Sequence, residues 1–213
     1  MRVKPAAVTG RVRVAALGGP GLRHTVDELT GIASAWRHAD ASGGGGRAAA
    51  SAGAPLGGGR CHLEVATTAT SAEVVEALRS ATVVHLAAHG HHEEQNPLFS
   101  SLRLSDGPVF AHELPRPIAA EHVVLSACDV GRSRMRVGDE PLGLTAALLA
   151  LGARSVVAAV APVPDEAAAA AMVAYHARLA AGQDAASALA ATIIDVPAAG
   201  AFCLFGANWS RAR

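Results

Sequence analysis

The sequence predicts an α/β protein with a mostly parallel central sheet that is covered by helices on both faces. Short apolar runs alternate along the chain with segments of helical periodicity, and the links between them are short. The apolar runs are continuous rather than alternating, which is typical of strands buried on both sides. Hydrophobic residues make up 51% of the 213-residue chain, which excludes a disordered protein. Aromatic residues make up only 3%, so the predicted core consists mainly of Ala, Val and Leu.

The first part of the chain contains two predicted strands and two predicted helices. Thr70 with Glu73 forms the signature of a capping box before the second helix. Residues 19–21 (Gly-Pro-Gly) follow the first strand. Because His24 stands where a nucleotide-binding loop needs its third glycine, we interpret them as a plain strand-to-helix turn. In chain order these elements are a strand over residues 11–17, a helix over 26–39, a strand over 62–66 and a helix that follows Thr70.

The segment 41–59, between the first helix and the second strand, consists almost entirely of Gly, Ala and Ser. Such a composition buries too little apolar surface to order itself, so we expect a flexible surface loop. The loop lies within a single predicted domain over residues 11–213, and residues 1–10 are expected to form an N-terminal tail.

The second part of the chain contains the remaining elements. Ser105-Asp106-Gly107 between two apolar patches indicates a β-hairpin. Gly152 stands at the expected C-cap of one helix, and Asp165 and Asp184 stand at the expected N-caps of the two that follow. In chain order the elements are a strand over residues 83–88, the hairpin around 105–107, a short helix over 111–114, a strand over 123–127, a helix over 142–151, a strand over 155–160, helices over 165–182 and 185–194, and a strand over 201–205.

Two of the predicted strands end in side chains that suit nucleophilic catalysis. The run 83–88 stops at His89, and the run 123–127 stops at Cys128. In doubly wound sheets, ligands bind outside the carboxyl ends of the strands. If the two strands are parallel neighbours, their ends bring the two side chains together. A thiol beside an imidazole is the smallest set of side chains that cysteine nucleophilic catalysis requires.

The alternative for Cys128 is a buried core cysteine, since a free cysteine often behaves as a small hydrophobe. Cys128 follows the apolar run and precedes Asp129 and Arg132, which favours a position at the carboxyl end of the strand over one in the core. Cys61 and Cys203 lack that setting, so we assign them structural roles. Three cysteines without a CxxC pair argue against a disulfide framework and favour a reducing compartment, so the expected location is the cytoplasm.

The residues next to His89 and Cys128 suggest how a substrate would be held. A glycine lets the main chain approach a ligand closely, so the backbone N–H groups of Gly90 and Cys128 are natural donors to an oxyanion. Carboxylates on the loop after Cys128 are candidates for a pocket that accepts a basic side chain, and a solvated acidic turn is the alternative. These carboxylates belong to Asp129, Asp139 and Glu140.

The run 89–94, His-Gly-His-His-Glu-Glu, also permits a metal-binding interpretation. Closely spaced histidines and carboxylates after a strand can bind zinc. The familiar H-x-H-x-D-H arrangement would need Asp in place of Glu93 and His in place of Glu94. We therefore interpret the run as a histidine-rich surface turn and expect neither metal nor cofactor. A zinc hydrolase built on its three histidines is kept as a further hypothesis.

Charge and hydropathy limit the expected partners. Lys plus Arg and Asp plus Glu number 18 each, and this balance argues against a nucleic-acid-binding surface. The chain lacks an apolar stretch of about 18 or more residues without polar or Gly/Pro breaks, so we expect no membrane span.

The sequence resembles the CHAT domains, which are caspase- and separase-like cysteine peptidases often attached to TPR repeats. The resemblance covers nearly the whole chain after about Val12, and the order and spacing of several motifs make it specific. Gly19-Pro20 with Glu28, and the tail 202–206, fit the pattern more loosely. The matching stretches are VHLAAHG at 84–90, NPL at 96–98, SLRLSDG at 101–107, VVLSACDVG at 123–131, GDEPLGL at 138–144 and LGARSVVA at 151–158.

This resemblance implies a caspase-like three-layer α/β/α sandwich with a mostly parallel central sheet, and cysteine endopeptidase activity. It implies that His89 acts as general base and acid, and that Cys128 forms a thioester acyl-enzyme with a protein or peptide substrate. Ala161 stands where members usually carry a Trp, and we count Ala161 and Asp165 among the substrate-pocket candidates. A TPR or other regulatory module is an expected partner, in cis or in trans. The alternative function is a catalytically idle module that keeps the fold for docking.

Overall fold

The computed structural model describes residues 12–42, 61–91, 93, 96–126 and 143–211. Nine strands and five helices lie in this part of the chain. The strands are β1 (Val12–Gly18), β2 (Cys61–Ala66), β3 (Val83–Ala87), β4 (Gly90–His91), β5 (Ser101–Leu104), β6 (Gly107–Phe110), β7 (His122–Leu125), β8 (Ser155–Ala159) and β9 (Phe202–Gly206). The helices are α1 (Thr25–Ser42), α2 (Ser71–Ser80), α3 (Gly143–Ala150), α4 (Asp165–Ala180) and α5 (Ala185–Asp195). Short 3₁₀ turns occupy Pro97–Phe99, Ala111–Glu113 and Pro197–Ala199.

Six strands form the central sheet in the order β2-β1-β3-β7-β8-β9. The pairings from β2 through β8 are parallel, and β9 pairs antiparallel with β8 at the edge. β3 and β7 are buried along their whole length, which explains why their sequences are continuously apolar. A mostly parallel sheet was predicted from the sequence, and the structure confirms it.

Two apolar layers cover the central sheet, one on each face. One layer joins the sheet to α1, α4 and α5. The other joins the opposite face to α2, α3 and the small antiparallel sheet β4-β5-β6. The molecule is therefore a three-layer α/β/α sandwich, as the sequence predicts.

Local signals in the sequence locate several boundaries correctly. The capping box is present: Glu73 accepts a 2.7 Å hydrogen bond from the Thr70 N–H, and the Glu73 N–H points back to the Thr70 hydroxyl. Asp184 caps α5 through the Ser187 N–H. The hairpin also forms, with β5 and β6 antiparallel around Asp106 and Gly107. Each of these signals acts over a few residues, so the sequence alone is sufficient to reveal it.

Two predictions about helix ends need correction. α1 continues to Ser42, two residues into the segment expected to be a loop; residues 43–60 lie outside the described part of the chain. Asp165 is not the N-cap of α4, because Pro164 occupies that position and Asp165 is the first helical residue. Its carboxylate instead accepts hydrogen bonds from a distant loop, as set out below.

In the ranges described above, no helix combines the length and the apolar character needed to cross a membrane.

Candidate active site

The adjacency of the two predicted catalytic strands is confirmed. β3 and β7 are parallel neighbours, with Leu86 opposite Leu125. Beyond the last paired residues, the Ser126 N–H donates a 2.9 Å hydrogen bond to the Leu86 carbonyl. The chain that leaves β7 toward Cys128 therefore starts beside the chain that leaves β3 toward His89. Cys128 itself lies outside the described residues, and so do the pocket candidates Asp129, Asp139 and Glu140.

His89 lies at the carboxyl edge of the sheet, where it is partly exposed. Its imidazole contacts the loop 19–24, which connects β1 to α1. A Cβ atom at Gly21 would lie 3.1 Å from the His89 Nε2 atom and 3.3 Å from Cδ2. The absence of a side chain at position 21 therefore leaves the space that this edge of the ring needs.

The hydrogen bonds between β4 and β5 do not use the Gly90 N–H. Gly90 lies opposite Leu102, and the Arg103 N–H donates to the His89 carbonyl at 2.8 Å. In an antiparallel ladder this pattern makes Gly90 and Leu102 a non-hydrogen-bonded pair, so the Gly90 N–H points away from β5. A backbone donor next to His89 that the ladder does not use suits the oxyanion role expected from the sequence.

The other two pocket candidates lie in the described part of the chain. Ala161 follows β8 and is exposed. The Asp165 carboxylate is partly buried, and its Oδ2 atom accepts hydrogen bonds from the N–H groups of Arg23 at 2.8 Å and His24 at 3.3 Å. Asp165 therefore connects the start of α4 to the loop that contacts His89.

A buried polar chain lies beneath the site, on the face covered by α1 and α4. The Trp36 indole N–H donates to the His176 Nδ1 at 3.1 Å, so the His176 Nε2 carries the proton and donates to the His85 Nδ1 at 3.2 Å. The His85 Nε2 atom lies 3.0 Å from a Glu28 carboxylate oxygen. These two atoms are close enough for electrostatic attraction, but they are not aligned as a hydrogen bond. His85 lies in the middle of β3 and is fully buried.

Glu28 should be important for stability, because it is a buried carboxylate whose closest partner is a buried imidazole. Removing one member of a buried polar pair leaves the other without its partner, which typically costs about 1–3 kcal/mol. We expect Glu28→Ala to lower the free energy of unfolding by about that amount, measured by urea denaturation. Asp27→Ala is the matched control: Asp27 is exposed in the same helical turn and should cost less than about 1 kcal/mol. Equal stabilities of the two variants would contradict a stabilising role for the buried pair.

The histidine-rich run after His89 is only partly described. His91 forms part of β4 and is exposed, whereas His92 and Glu94 lie outside the described residues. Within the residues described, no three His, Cys, Asp or Glu side chains are grouped as a metal site requires.

The three layers, the sheet order and a histidine at the end of a central parallel strand define a caspase-like α/β/α protein. The chain belongs to the CHAT domain family, whose sequence model matches residues 8–199. This family is a caspase-like cysteine peptidase family. A search of curated proteins gave no significant match.

Sequence reasoning missed two contacts that shape this site. Gly21 was interpreted only as part of a turn, and Asp165 only as a helix cap or a pocket residue. The positive φ of Gly21, +98°, explains why glycine suits the turn, but it does not reveal that the turn contacts His89. Both contacts join residues far apart in the sequence, so no local pattern could identify them.

Proposed function

We propose that this protein is a cysteine endopeptidase in which His89 and Cys128 form the catalytic dyad. The observation that carries the proposal is the parallel pairing of β3 and β7, because it directs the ends of both strands to one place at the edge of the sheet. Membership of a cysteine peptidase family and the available Gly90 N–H support the same assignment.

The chemistry follows from the roles of the two side chains. The Cys128 thiolate attacks the carbonyl carbon of the substrate peptide, and the backbone N–H groups of Gly90 and Cys128 stabilise the oxyanion. His89 then protonates the leaving amine, and the C–N bond breaks to give a thioester. Water attacks the thioester while His89 accepts its proton, which releases the carboxylic acid and restores the Cys128 thiolate beside protonated His89.

The substrate class is a protein or peptide. Asp129, Asp139, Glu140 and Ala161 remain candidates for the surface that selects the side chain before the cut. A TPR or other regulatory module, in cis or in trans, is the proposed partner. The cytoplasmic location stays a prediction from cysteine usage.

Thiol reactivity tests the dyad without knowledge of the substrate. Because the thiolate is the reactive species, Cys128 beside an imidazole should be alkylated by iodoacetamide at pH 7 at least about tenfold faster than free cysteine. Cys61 is a suitable slow-reacting control within the same protein, since burial raises the pKa of its thiol to about 11. The rates are measured by mass spectrometry of the two cysteine-containing peptides after timed labelling.

The variant His89→Ala connects this reactivity to the proposed partner. We expect it to slow alkylation of Cys128 by about tenfold and to leave the rate at Cys61 unchanged. A Cys128 that reacts no faster than free cysteine in the wild-type protein would instead favour the catalytically idle docking module.

A further inference from the structure

The loop 19–24 and the imidazole of His89 are closely fitted to each other. At Gly21 a Cβ atom would approach the ring to 3.1 Å, closer than most real Cβ contacts. At Gly19 a Cβ atom would lie 2.4 Å from the Arg103 carbonyl oxygen and 2.7 Å from the Ala88 Cβ atom. The Gly19 N–H also donates to the Ala87 carbonyl at 2.8 Å. One end of this loop is therefore fixed on the residues that immediately precede His89.

The other end of the loop is fixed by Asp165. One carboxylate oxygen accepts both the Arg23 and the His24 N–H groups, which directly precede α1. Amides at the start of a helix have no partner within the helix, so an external acceptor is needed to satisfy them. Helices α1 and α4 are in close contact, since a Cβ atom at Gly31 would lie 2.6 Å from the Val173 side chain. Asp165 therefore lies on a helix that is packed closely against α1, and it can anchor the loop that precedes α1.

We propose that Asp165 is a positioning residue, which holds the loop 19–24 so that Gly21 fixes the imidazole of His89. The proposal rests on the peptidase function for its effect on catalysis. It also assigns Asp165 a role different from that of a pocket carboxylate. A pocket that binds a basic side chain needs the negative charge of Asp165, whereas the loop needs only an oxygen that accepts two N–H groups.

The substitution Asp165→Asn separates these two roles, because asparagine keeps an acceptor oxygen and loses the charge. For a positioning role, we expect Asp165→Ala to reduce kcat about tenfold or more with KM little changed, and Asp165→Asn to retain most of the wild-type kcat. For a pocket role, both variants would raise KM equally for substrates with a basic side chain. Glu166→Gln is the matched control, since Glu166 is an exposed carboxylate in the same turn of α4.

A spectroscopic readout reports the position of His89 independently of peptide cleavage. In histidine-labelled protein, the ¹H–¹³C signal of the His89 ring is assigned with His89→Gln and compared among variants at one fixed pH. We expect Asp165→Ala and Gly21→Ala to shift that signal, while Asp165→Asn and Glu166→Gln leave it as in the wild type. Should Gly21→Ala fail to fold, Asp165→Ala still provides the comparison.

The outcomes distinguish the positioning role from the peptidase function. A His89 signal that is unchanged in Asp165→Ala overturns the positioning role, whatever the cleavage assay gives. A shifted signal in a protein that cleaves no peptide supports the contact between the loop and His89 and rejects the peptidase function. Equal losses of kcat in Asp165→Ala and Asp165→Asn overturn the role of the acceptor oxygen.

Discussion

Replacing either Cys128 or His89 with alanine should abolish cleavage of every peptide in a diverse library that the wild-type protein cuts. Hydrolases that use a nucleophile and a base as a unit lose on the order of 10⁶-fold in turnover when either is removed. The measurement is a mass-spectrometric cleavage profile, which also reports the preference at the residue before the cut. Circular dichroism and thermal melting of each variant should show that the fold is retained.

Two control variants make this result specific. Cys203→Ala removes a cysteine on β9, at the edge of the sheet, and should leave the profile unchanged. His91→Ala should also retain cleavage if His89 acts with Cys128. Loss of cleavage in His91→Ala, together with stoichiometric zinc in the purified protein, would favour the zinc hydrolase. Retained cleavage in Cys128→Ala would reject the cysteine mechanism.

Acid should destabilise the protein strongly, because two histidines are buried in neutral form. His122 is fully buried, with its Nδ1 atom 2.9 Å from the Ser155 hydroxyl and its Nε2 atom 2.9 Å from the Tyr175 hydroxyl. Burial lowers the pKa of His122 to about 3, and proximity to His85 adds to this effect. Burial likewise lowers the pKa of His176 well below 6.5, and the histidines His85 and His122 lower it further.

The sign of the effect follows from proton binding. Between pH 6.5 and 3 the unfolded chain protonates His122 and the folded chain does not, so the free energy of unfolding falls as the pH falls. The lowered pKa of His176 acts in the same direction below pH 6.5. His122 contributes about 1.4 kcal/mol per pH unit in this window, which amounts to about 5 kcal/mol by pH 3. Carboxylates with a lowered pKa, such as Asp184, stabilise the folded state while they are ionised. They lose this contribution to the free energy of unfolding mainly below about pH 4.

Urea denaturation at several values between pH 6.5 and 4.5 therefore isolates the histidine effect. We expect His122→Gln to reduce the slope of stability against pH by about 1.4 kcal/mol per pH unit, whatever its effect on stability at neutral pH. His112→Gln replaces an exposed histidine and should leave the slope unchanged. A slope in His122→Gln equal to that of the wild type would show that His122 is not the group responsible.

The sequence predicts the elements of this fold well because most of their signals are local. The continuous apolar runs of β3 and β7 reflect burial on both faces, and the Thr70 capping box depends on residues three positions apart. The prediction for the end of α1 was less accurate, since Ala41 and Ser42 continue the helix into a segment whose composition favours a loop. Composition describes a whole segment, whereas the last turn of a helix depends on its own hydrogen bonds.

The candidate site was predictable in part. The sequence predicts His89, Cys128 and Gly90 as site residues and suggests that the strands before them are neighbours. The pairing of β3 with β7 confirms the second of these predictions. It gave no indication that the Gly90 N–H is left unpaired by the ladder, because that depends on the register between β4 and β5. A shift of one residue in that register would turn the N–H toward the neighbouring strand.

By itself, the sequence determined the α/β class, the order of most elements and the histidine and cysteine that follow two buried strands. Only the tertiary structure decided which distant groups meet beside and beneath that histidine. Asp165 and Arg23 are 142 residues apart in the chain, and His85 and His176 are 91 apart, yet each pair is in hydrogen-bond contact. Such contacts depend on how α1 and α4 pack across the sheet. Packing is set by the shape and volume of side chains from all layers together, and no pattern within one segment contains that information.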